Sequence, residues 1–222
     1  MTSCVLLYHH VAPRPSSRFT VSPGSFKAQI NWLIERDFQL LTLRDFWSED
    51  AGGRRAFITF DDGYTDVYRY AFPVLRACNV AASVFLITDY IGKHNSWEHA
   101  GQPRYAHLEP AQITEMCANG WEIHSHTASH ANFGKLSAQE IAADVRRATR
   151  TVRRWNQGPL FCAFPYGRSE PRLIGALQER GYAGAFVAEP SWPTTDRYRL
   201  PRTPVLDKGL ASFPSLFPEV AR

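Results

Sequence analysis

Short runs of apolar residues alternate with amphipathic stretches along most of the chain. The runs are rich in Val, Ile, Leu and Phe, which favours β-strands, and they cover residues 5–8, 38–41, 57–60, 82–87, 121–125, 160–164 and 182–187. Apolar residues that recur at helical spacing predict helices over residues 25–36, 64–78, 111–118, 137–155 and 171–180. This regular alternation predicts an α/β fold with a mostly parallel sheet, either open or closed into a barrel.

Polar or aromatic side chains directly follow several of these runs. They are His9 and His10 after the first run, Asp61 and Asp62 after the third, His126 and His130 after the fifth, and Pro165 and Tyr166 after the sixth. In βα barrels the active site lies at the carboxyl ends of the strands, where these side chains would meet. The pattern therefore predicts one polar site at that end of the sheet.

The adjacent carboxylates of Asp61 and Asp62 stand out among these clusters. Each charge is costly to bury without a partner, and neighbouring side chains on a strand point to opposite faces. The two can share a site only if the strand ends there, and Gly63 gives the chain the freedom to turn away. The alternative is a polar strand end that caps the following helix.

His126 and His130 have a spacing that suits metal binding. On a helical turn these two imidazoles would lie on one face, although a pair of surface histidines is the alternative. A carboxylate from another strand would complete a set that leaves open positions on the metal, as hydrolytic chemistry requires. No HExxH motif is present, so zinc-protease chemistry of that type is not supported.

Composition narrows the class of protein. The chain has 222 residues, of which 44% are hydrophobic, and residues 1–222 are expected to form a single domain. The net charge of +4 is mild, no basic pattern indicates nucleic-acid binding, and no apolar run is long enough to cross a membrane. The four cysteines form no CxxC pair and are expected to be buried free thiols.

The first residues lack the features of a signal peptide, which predicts a cytoplasmic location unless the sequence was trimmed from a cell-envelope protein.

Three motifs together resemble those of a known family. Residues 60–63 (Phe-Asp-Asp-Gly), 126–130 (His-Thr-Ala-Ser-His) and 164–167 (Phe-Pro-Tyr-Gly) are similar to the first three motifs of the polysaccharide deacetylases, the carbohydrate esterase family 4 with the NodB homology domain. The Leu-Tyr-His-His and Arg-Leu-Pro-Arg stretches resemble its branch that deacetylates the biofilm exopolysaccharide poly-β-1,6-N-acetylglucosamine. The resemblance implies a distorted, NodB-like (β/α) barrel with about seven parallel strands.

The resemblance also implies roles for the matching residues. Asp62, His126 and His130 would bind a divalent metal ion, most often zinc, and Asp61 would be the general base that takes a proton from the attacking water. The backbone N–H of Tyr166 would hold the oxyanion. The substrate would be a carbohydrate polymer or oligosaccharide whose N-acetylglucosamine units lose acetate.

The chain departs from the common family pattern at the acid histidine. Most members have this histidine in a Leu-x-His motif near the C-terminus, but no histidine follows His130 here. Leu7-Tyr8-His9 fits that motif, as in the permuted exopolysaccharide branch, so His9 is expected to be the general acid. His10 is the competing candidate, although strand alternation should point the two side chains apart.

A second departure lies in the third motif. Its usual arginine, which braces the base aspartate, is replaced by Ala163. We expect Arg202 to take that place beside Asp61, since a guanidinium is always charged and binds a carboxylate through two hydrogen bonds. The alternative is that Arg202 is an ordinary surface arginine.

A further histidine and several aromatic side chains are weaker candidates for the site. His124 is expected to be a hydrogen-bonded core histidine. Residues 92–110 predict a long loop, and aromatic side chains there and further on could line a substrate groove or simply pack: Trp97, His99, Tyr105, His107 and Trp192.

Two other functions remain open on the sequence alone. One is an amide hydrolase, either a deformylase or a deacetylase, that acts on a small or lipid-linked sugar. The lack of a signal peptide favours it slightly. The other is a non-catalytic carbohydrate-binding protein, but such a protein has no need for an open metal site.

Overall fold

The computed structural model describes residues 3–14, 17–48, 52–95, 104–188, 195–207, 210–217 and 220. The strands are β1 (Ser3–Tyr8), β2 (His10–Val11), β3 (Thr20–Val21), β4 (Phe38–Leu41), β5 (Arg54–Phe60), β6 (Ser83–Leu86), β7 (Glu122–Ser125), β8 (Phe161–Ala163), β9 (Gly184–Phe186) and β10 (Thr203–Pro204). The α-helices are α1 (Pro23–Ile34), α2 (Phe72–Ala77), α3 (Pro110–Ala118), α4 (Ala138–Val152) and α5 (Pro171–Glu179).

One parallel sheet organises the fold. Its eight strands run in the order β10-β1-β5-β6-β7-β8-β9, with β4 pairing along the first half of β5. Every pairing between these strands is parallel. The predicted α/β class and the distorted barrel of parallel strands are therefore confirmed.

The C-terminal segment joins the two edges of the sheet. Leu200 forms a parallel bridge with Phe186 of β9, and Thr203 pairs with Leu6 of β1 only three residues later. The side chain that lies between these two contacts, Arg202, is completely buried. The barrel is thus closed by the same stretch that carries this arginine.

Strand alternation divides the core into two clusters. A smaller one is made almost entirely of strand residues and fills the barrel interior: Val5, Leu43, Phe57, Phe85, Phe161, Ala163, Phe186 and Leu200. A larger one packs the other face of the strands against the helices, with residues such as Leu6, Ile58 and Ile141. Large rings therefore occupy the centre of the barrel, below the polar end of the strands.

The helices begin and end for local reasons. Helix α4 starts with a capping box, in which Ser137 and Glu140 each accept a hydrogen bond from the other's backbone N–H. The helix predicted over residues 64–78 is present, as a π-helical segment, Val67–Ala71, that continues directly into α2. Pro73 lies at the start of α2, where its missing N–H interrupts the regular hydrogen-bond ladder.

Other expectations were met only in part. The strands β2, β3 and β10 are two residues long and were not predicted, because so short a segment has no periodicity. All four cysteines are free thiols, but only Cys4 and Cys162 are buried, and Cys78 and Cys117 are half-buried.

Within the described residues, no helix has the length and apolar character needed to cross a membrane.

Candidate active site

A cavity of about 640 Å³ opens at the carboxyl ends of the strands. It is lined by nearly all of the site residues predicted from the sequence: His9, His10, Asp61, Asp62, His126, His130 and Tyr166. Further wall residues come from the loop before β3, among them Ser17, Arg18 and Phe19. The polar ends of β1, β5, β7 and β8 therefore do converge on one place.

The chain turns sharply between the two aspartates. The N–H of Asp61 still donates to Tyr8 O, which extends the pairing of β5 with β1 by one residue. Asp62 then has a φ of 68° and Gly63 a φ of 78°, both in the left-handed region. A Cβ on Gly63 would lie 2.4 Å from Leu86 Cδ2 and would also be strained by the positive φ, so glycine is favoured here. Because the strand ends here, both carboxylates reach the cavity.

Asp62, His126 and His130 form a group that could hold a metal ion. Asp62 Oδ1 lies 3.3 Å from His126 Nε2 and 3.8 Å from His130 Nε2. A ligand atom from each residue falls within 4.8 Å of the other two. His126 Nδ1 donates to the carbonyl oxygen of Ala163 at 2.9 Å, which leaves Nε2 directed at the group.

The state of these donors fits a cation. Asp62 Oδ1 is buried and has no hydrogen-bond partner within the part of the chain that the structure describes. Burial alone would raise the pKa of Asp62, but the neighbouring imidazoles, His126 first, lower it well below its ordinary value. Burial lowers the pKa of His130 to about 4, so its ring is neutral, as a metal ligand must be. The nearby carboxylates raise the pKa of His126 against the effect of burial.

The two histidines do not lie on a helix, and that part of the prediction was wrong. Residues 126–130 form an irregular loop in which Thr127 (φ 68°) and His130 (φ 55°) are both left-handed. Thr127 Oγ1 accepts a hydrogen bond from the N–H of His130 at 3.1 Å, which closes the turn. Loop geometry, and not the period of a helix, brings the imidazoles together.

Asp144 supports this loop and was missed by the sequence analysis. Its carboxylate accepts hydrogen bonds from Ala128 N at 2.7 Å, Ser129 N at 3.1 Å and Ser129 Oγ at 2.6 Å. The residue is 3% exposed and lies on the buried face of α4 beside Val145. The sequence did contain a signal for this role of Asp144, because an acidic residue on the apolar face of a helix needs hydrogen-bond partners in the interior.

Arg202 lies directly against Asp61. Its Nη1 and Nη2 donate to Asp61 Oδ1 at 2.6 Å and Oδ2 at 2.7 Å, the two-bond geometry of an arginine–carboxylate pair. Burial alone would raise the pKa of Asp61, but the charge of Arg202, followed by that of His126, holds it below its ordinary value. Arg202 is 0% exposed, so it is not a surface arginine.

The surroundings of Arg202 explain how the barrel accepts a buried guanidinium. The group stacks over Phe85 at 5.2 Å and Phe186 at 5.9 Å from the ring centroids. Nη1 also donates to Thr59 Oγ1 at 3.3 Å and Nε to the carbonyl oxygen of Val187 at 3.5 Å. Ala163 belongs to the same interior cluster as these two rings.

The two adjacent histidines have different partners. The ring of His9 stacks on Phe19 with centroids 4.7 Å apart. Burial lowers the pKa of His9, while Asp62 and Asp61 act to raise it. His10 is held instead by Asp66, whose Oδ2 lies 2.6 Å from His10 Nδ1. The two rings therefore have separate partners, as expected, although both line the cavity.

Tyr166 stands at the rim of the cavity. Its φ is 60°, its side chain is exposed, and its hydroxyl donates to the carbonyl oxygen of His130 at 3.3 Å. Its ring lies 4.7 Å from that of His130.

The remaining candidates do not line the cavity or fall outside the described residues. His124 is fully buried, and its Nδ1 lies 3.2 Å from Asn156 Nδ2, which makes it the hydrogen-bonded core histidine that was expected. Tyr105 and His107 pack on Tyr64 and do not line the cavity. The predictions for Trp97, His99 and Trp192 fall outside the described residues.

The three motifs and the parallel barrel can be compared with known proteins. The sequence profile of the family described as polysaccharide deacetylase matches residues 48–185. This chain belongs to the polysaccharide deacetylase family. It is therefore a hydrolase of the type that cleaves N-acetyl amide bonds of carbohydrates.

Relatives with assigned names support this membership. The chain is 32% identical over 200 residues to the poly-beta-1,6-N-acetyl-D-glucosamine N-deacetylase of Staphylococcus epidermidis, covering 83% of this chain and 67% of that protein. It is 25% identical over 217 residues to the Staphylococcus aureus enzyme of the same name, covering 90% and 73%.

Solved structures show the same fold. IcaB from Ammonifex degensii matches with a TM-score of 0.78 and 25% identity, over 100% of this chain and 97% of that chain. The deacetylase PplD of Streptococcus pyogenes, solved with acetate, matches with a TM-score of 0.82 and 19% identity, over 94% of each chain.

Removing the arginine should leave Asp61 buried without its counter-charge. We expect Arg202→Ala to lower the free energy of unfolding by about 3–5 kcal/mol, the usual cost of breaking a buried ion pair from one side. Urea denaturation followed by tryptophan fluorescence measures this loss. Arg199→Ala is the matched control, because Arg199 lies in the same segment but pairs with Asp196 at the surface. That variant should lose no more than ~1 kcal/mol, and equal losses in the two variants would contradict the assignment.

Proposed function

We propose that this protein hydrolyses the N-acetyl groups of N-acetylglucosamine units in a polysaccharide and releases acetate. The observation that carries the proposal is the buried Arg202–Asp61 pair beside the Asp62, His126 and His130 group in one cavity. The names of the staphylococcal relatives favour a β-1,6-linked polymer as the substrate.

We propose that Asp62, His126 and His130 hold a divalent metal ion, with zinc as the most suitable. One carboxylate and two imidazoles are a donor set that zinc accepts, and it leaves further positions open. Such an ion, when bound, supplies a Lewis acid that polarises the acetamide carbonyl and makes water more acidic.

Asp61 is proposed to take a proton from the attacking water. Arg202 keeps the carboxylate ionised and fixes both of its oxygen atoms, so that it acts as an acceptor in a set orientation. Asp61 Oδ2 lies 4.0 Å from His126 Nε2, which places it beside the metal-binding group. Adjacent carboxylates thereby have separate tasks, one as a ligand and the other as a base.

The other groups of the cavity would act on the acetamide and on the departing amine. The backbone N–H of Tyr166, in a residue that stands at the rim, is proposed to donate to the oxyanion. His9 faces the charges of Asp61 and Asp62 and is proposed to deliver the proton that the departing amine needs.

An acyl-release panel tests the activity. We expect acetate to be released from short β-1,6-linked N-acetylglucosamine oligomers, and EDTA to abolish the release until Zn²⁺ is added back. The same panel contains β-1,4-linked oligomers and an N-formylated sugar, with formate measured beside acetate. Formate release without acetate release would instead support a deformylase, and binding without any acyl release would support a carbohydrate-binding protein.

Replacing the base should separate metal binding from turnover. Asp61→Asn keeps the shape of the side chain and removes its charge, so kcat is expected to fall about 10²–10⁴-fold. Metal content, measured by atomic absorption, should remain near that of the unaltered protein. Asp196→Asn, the same substitution at a surface ion pair, should retain normal kcat. Full turnover by Asp61→Asn would exclude Asp61 as the base.

Replacing His9 tests the general acid. We expect His9→Ala to lower kcat roughly 10²-fold or more while metal content is unchanged. His94→Ala, at an exposed histidine, serves as the control and should leave both quantities unaltered. Loss of metal in His9→Ala would show that His9 is a ligand.

A further inference from the structure

His10 and Asp66 form a second aspartate–histidine pair at the cavity, and the steps proposed above do not use it. His10 Nδ1 lies 2.6 Å from Asp66 Oδ2, and the residue is only 3% exposed. His10 nevertheless lines the same cavity as the metal-binding group. The pairing with Asp66 accounts for one of the two ring nitrogens of His10.

The position of the His10 ring is determined from two sides. Tyr64 stacks on it with centroids 3.9 Å apart and planes 15° apart, and Tyr105 lies 4.5 Å away. The carboxylate oxygen of Asp66 accepts the hydrogen bond from Nδ1 of His10, so Nδ1 carries the hydrogen. Nε2 is therefore the ring nitrogen that is available to a ligand in the cavity.

The charges around the cavity indicate which kind of ligand group could form a hydrogen bond with Nε2. The buried carboxylates of the cavity already have counter-charges, since Asp61 is paired with Arg202 and Asp62 belongs to the group proposed to hold a metal ion. A hydroxyl group suits this setting, because it is uncharged and can either donate to Nε2 or accept from it.

We propose that His10, oriented by Asp66 and Tyr64, binds a ring hydroxyl of the same sugar unit whose acetamide is hydrolysed. This inference rests on the proposed function. His10 then contacts the substrate without moving a proton, whereas its neighbour His9 serves the departing amine. Two consecutive residues thus have different roles, since the ring of His10 is paired with Asp66 and that of His9 lies in the field of the carboxylate pair.

The test combines His10 variants with substrates that lack one hydroxyl. His10→Phe keeps an aromatic ring against Tyr64 and removes both nitrogens, whereas His10→Gln keeps a polar group near the place of Nε2. With a β-1,6-linked N-acetylglucosamine oligomer, His10→Phe should raise KM about 3- to 10-fold, the value of one hydrogen bond, and leave kcat within about twofold. His10→Gln should recover at least part of the lost affinity. Thermal unfolding shows whether each variant is folded.

Monodeoxy analogues of the reacting sugar identify the partner. One analogue should bind the unaltered protein about 3- to 10-fold less tightly and should lose nothing further in His10→Phe. For every other analogue, the loss of affinity relative to the complete oligomer should be the same in the unaltered protein and in His10→Phe. If His10→Phe instead slows turnover about 10²-fold at unchanged KM, the size of a lost proton transfer, the proposal is overturned and His10 becomes a proton-transfer group. The proposal would also be overturned if His10→Phe lowered the affinity for every analogue by the same factor.

Binding measurements separate this inference from the proposed function. Titration calorimetry of the same oligomers with Asp61→Asn protein reports affinity without turnover. Oligomers that bind with the expected His10 dependence but release no acetate from the unaltered protein would contradict the proposed function alone. Normal acetate release with no His10 dependence of KM or affinity would contradict the hydroxyl site alone. Oligomers that neither bind nor react would contradict both.

Discussion

The buried pair of Arg202 and Asp61 links the closure of the barrel to the chemistry at its end. Moving two charges out of water costs several kcal/mol for each ion, and the cost is offset only when the geometry is good and the other polar atoms are satisfied. Here two short hydrogen bonds join the ions, Thr59 accepts a third, and Phe85 and Phe186 face the guanidinium. The arginine can reach this place only because residues 200–204 bridge β9 and β1. A barrel left open at that edge would leave Asp61 without its counter-charge.

The rest of the site depends on backbone conformations that most residues avoid. Four of the six non-glycine residues with positive φ in the described part of the chain lie at or beside the cavity: Asp62, Thr127, His130 and Tyr166. Such conformations cost of order 1–3 kcal/mol each and persist where the surroundings impose them. At the histidine loop the surroundings are the carboxylate of Asp144 and the hydroxyl of Thr127. The orientation of His126 and His130 therefore depends on polar contacts with a residue of helix α4 that does not line the cavity.

The first strand contributes two histidines whose neighbours make them chemically different. His9 stacks on Phe19 and lies in the field of the carboxylate pair, whereas His10 is tied to Asp66 and pressed against Tyr64. The contact that holds His10 joins residues that are far apart in sequence, since Asp66 is 56 positions from His10. The cavity thereby has one imidazole in the field of the two carboxylates and another that is paired with Asp66.

Local pattern was enough to predict the alternation of strands and helices, the end of β5 at the two aspartates, and the convergence of polar side chains at the carboxyl ends of the strands. Periodicity and motif spacing carry this information, because they reflect which face of each element is buried. Tertiary structure alone decided the loop conformation of residues 126–130, the support that Asp144 gives it, and the partner of His10. The contact between Arg202 and Asp61 was anticipated from a missing arginine at Ala163, but its burial follows from barrel closure by a strand too short to show any period. Interactions between residues distant in the chain are set by how the elements pack, and no local pattern records that packing.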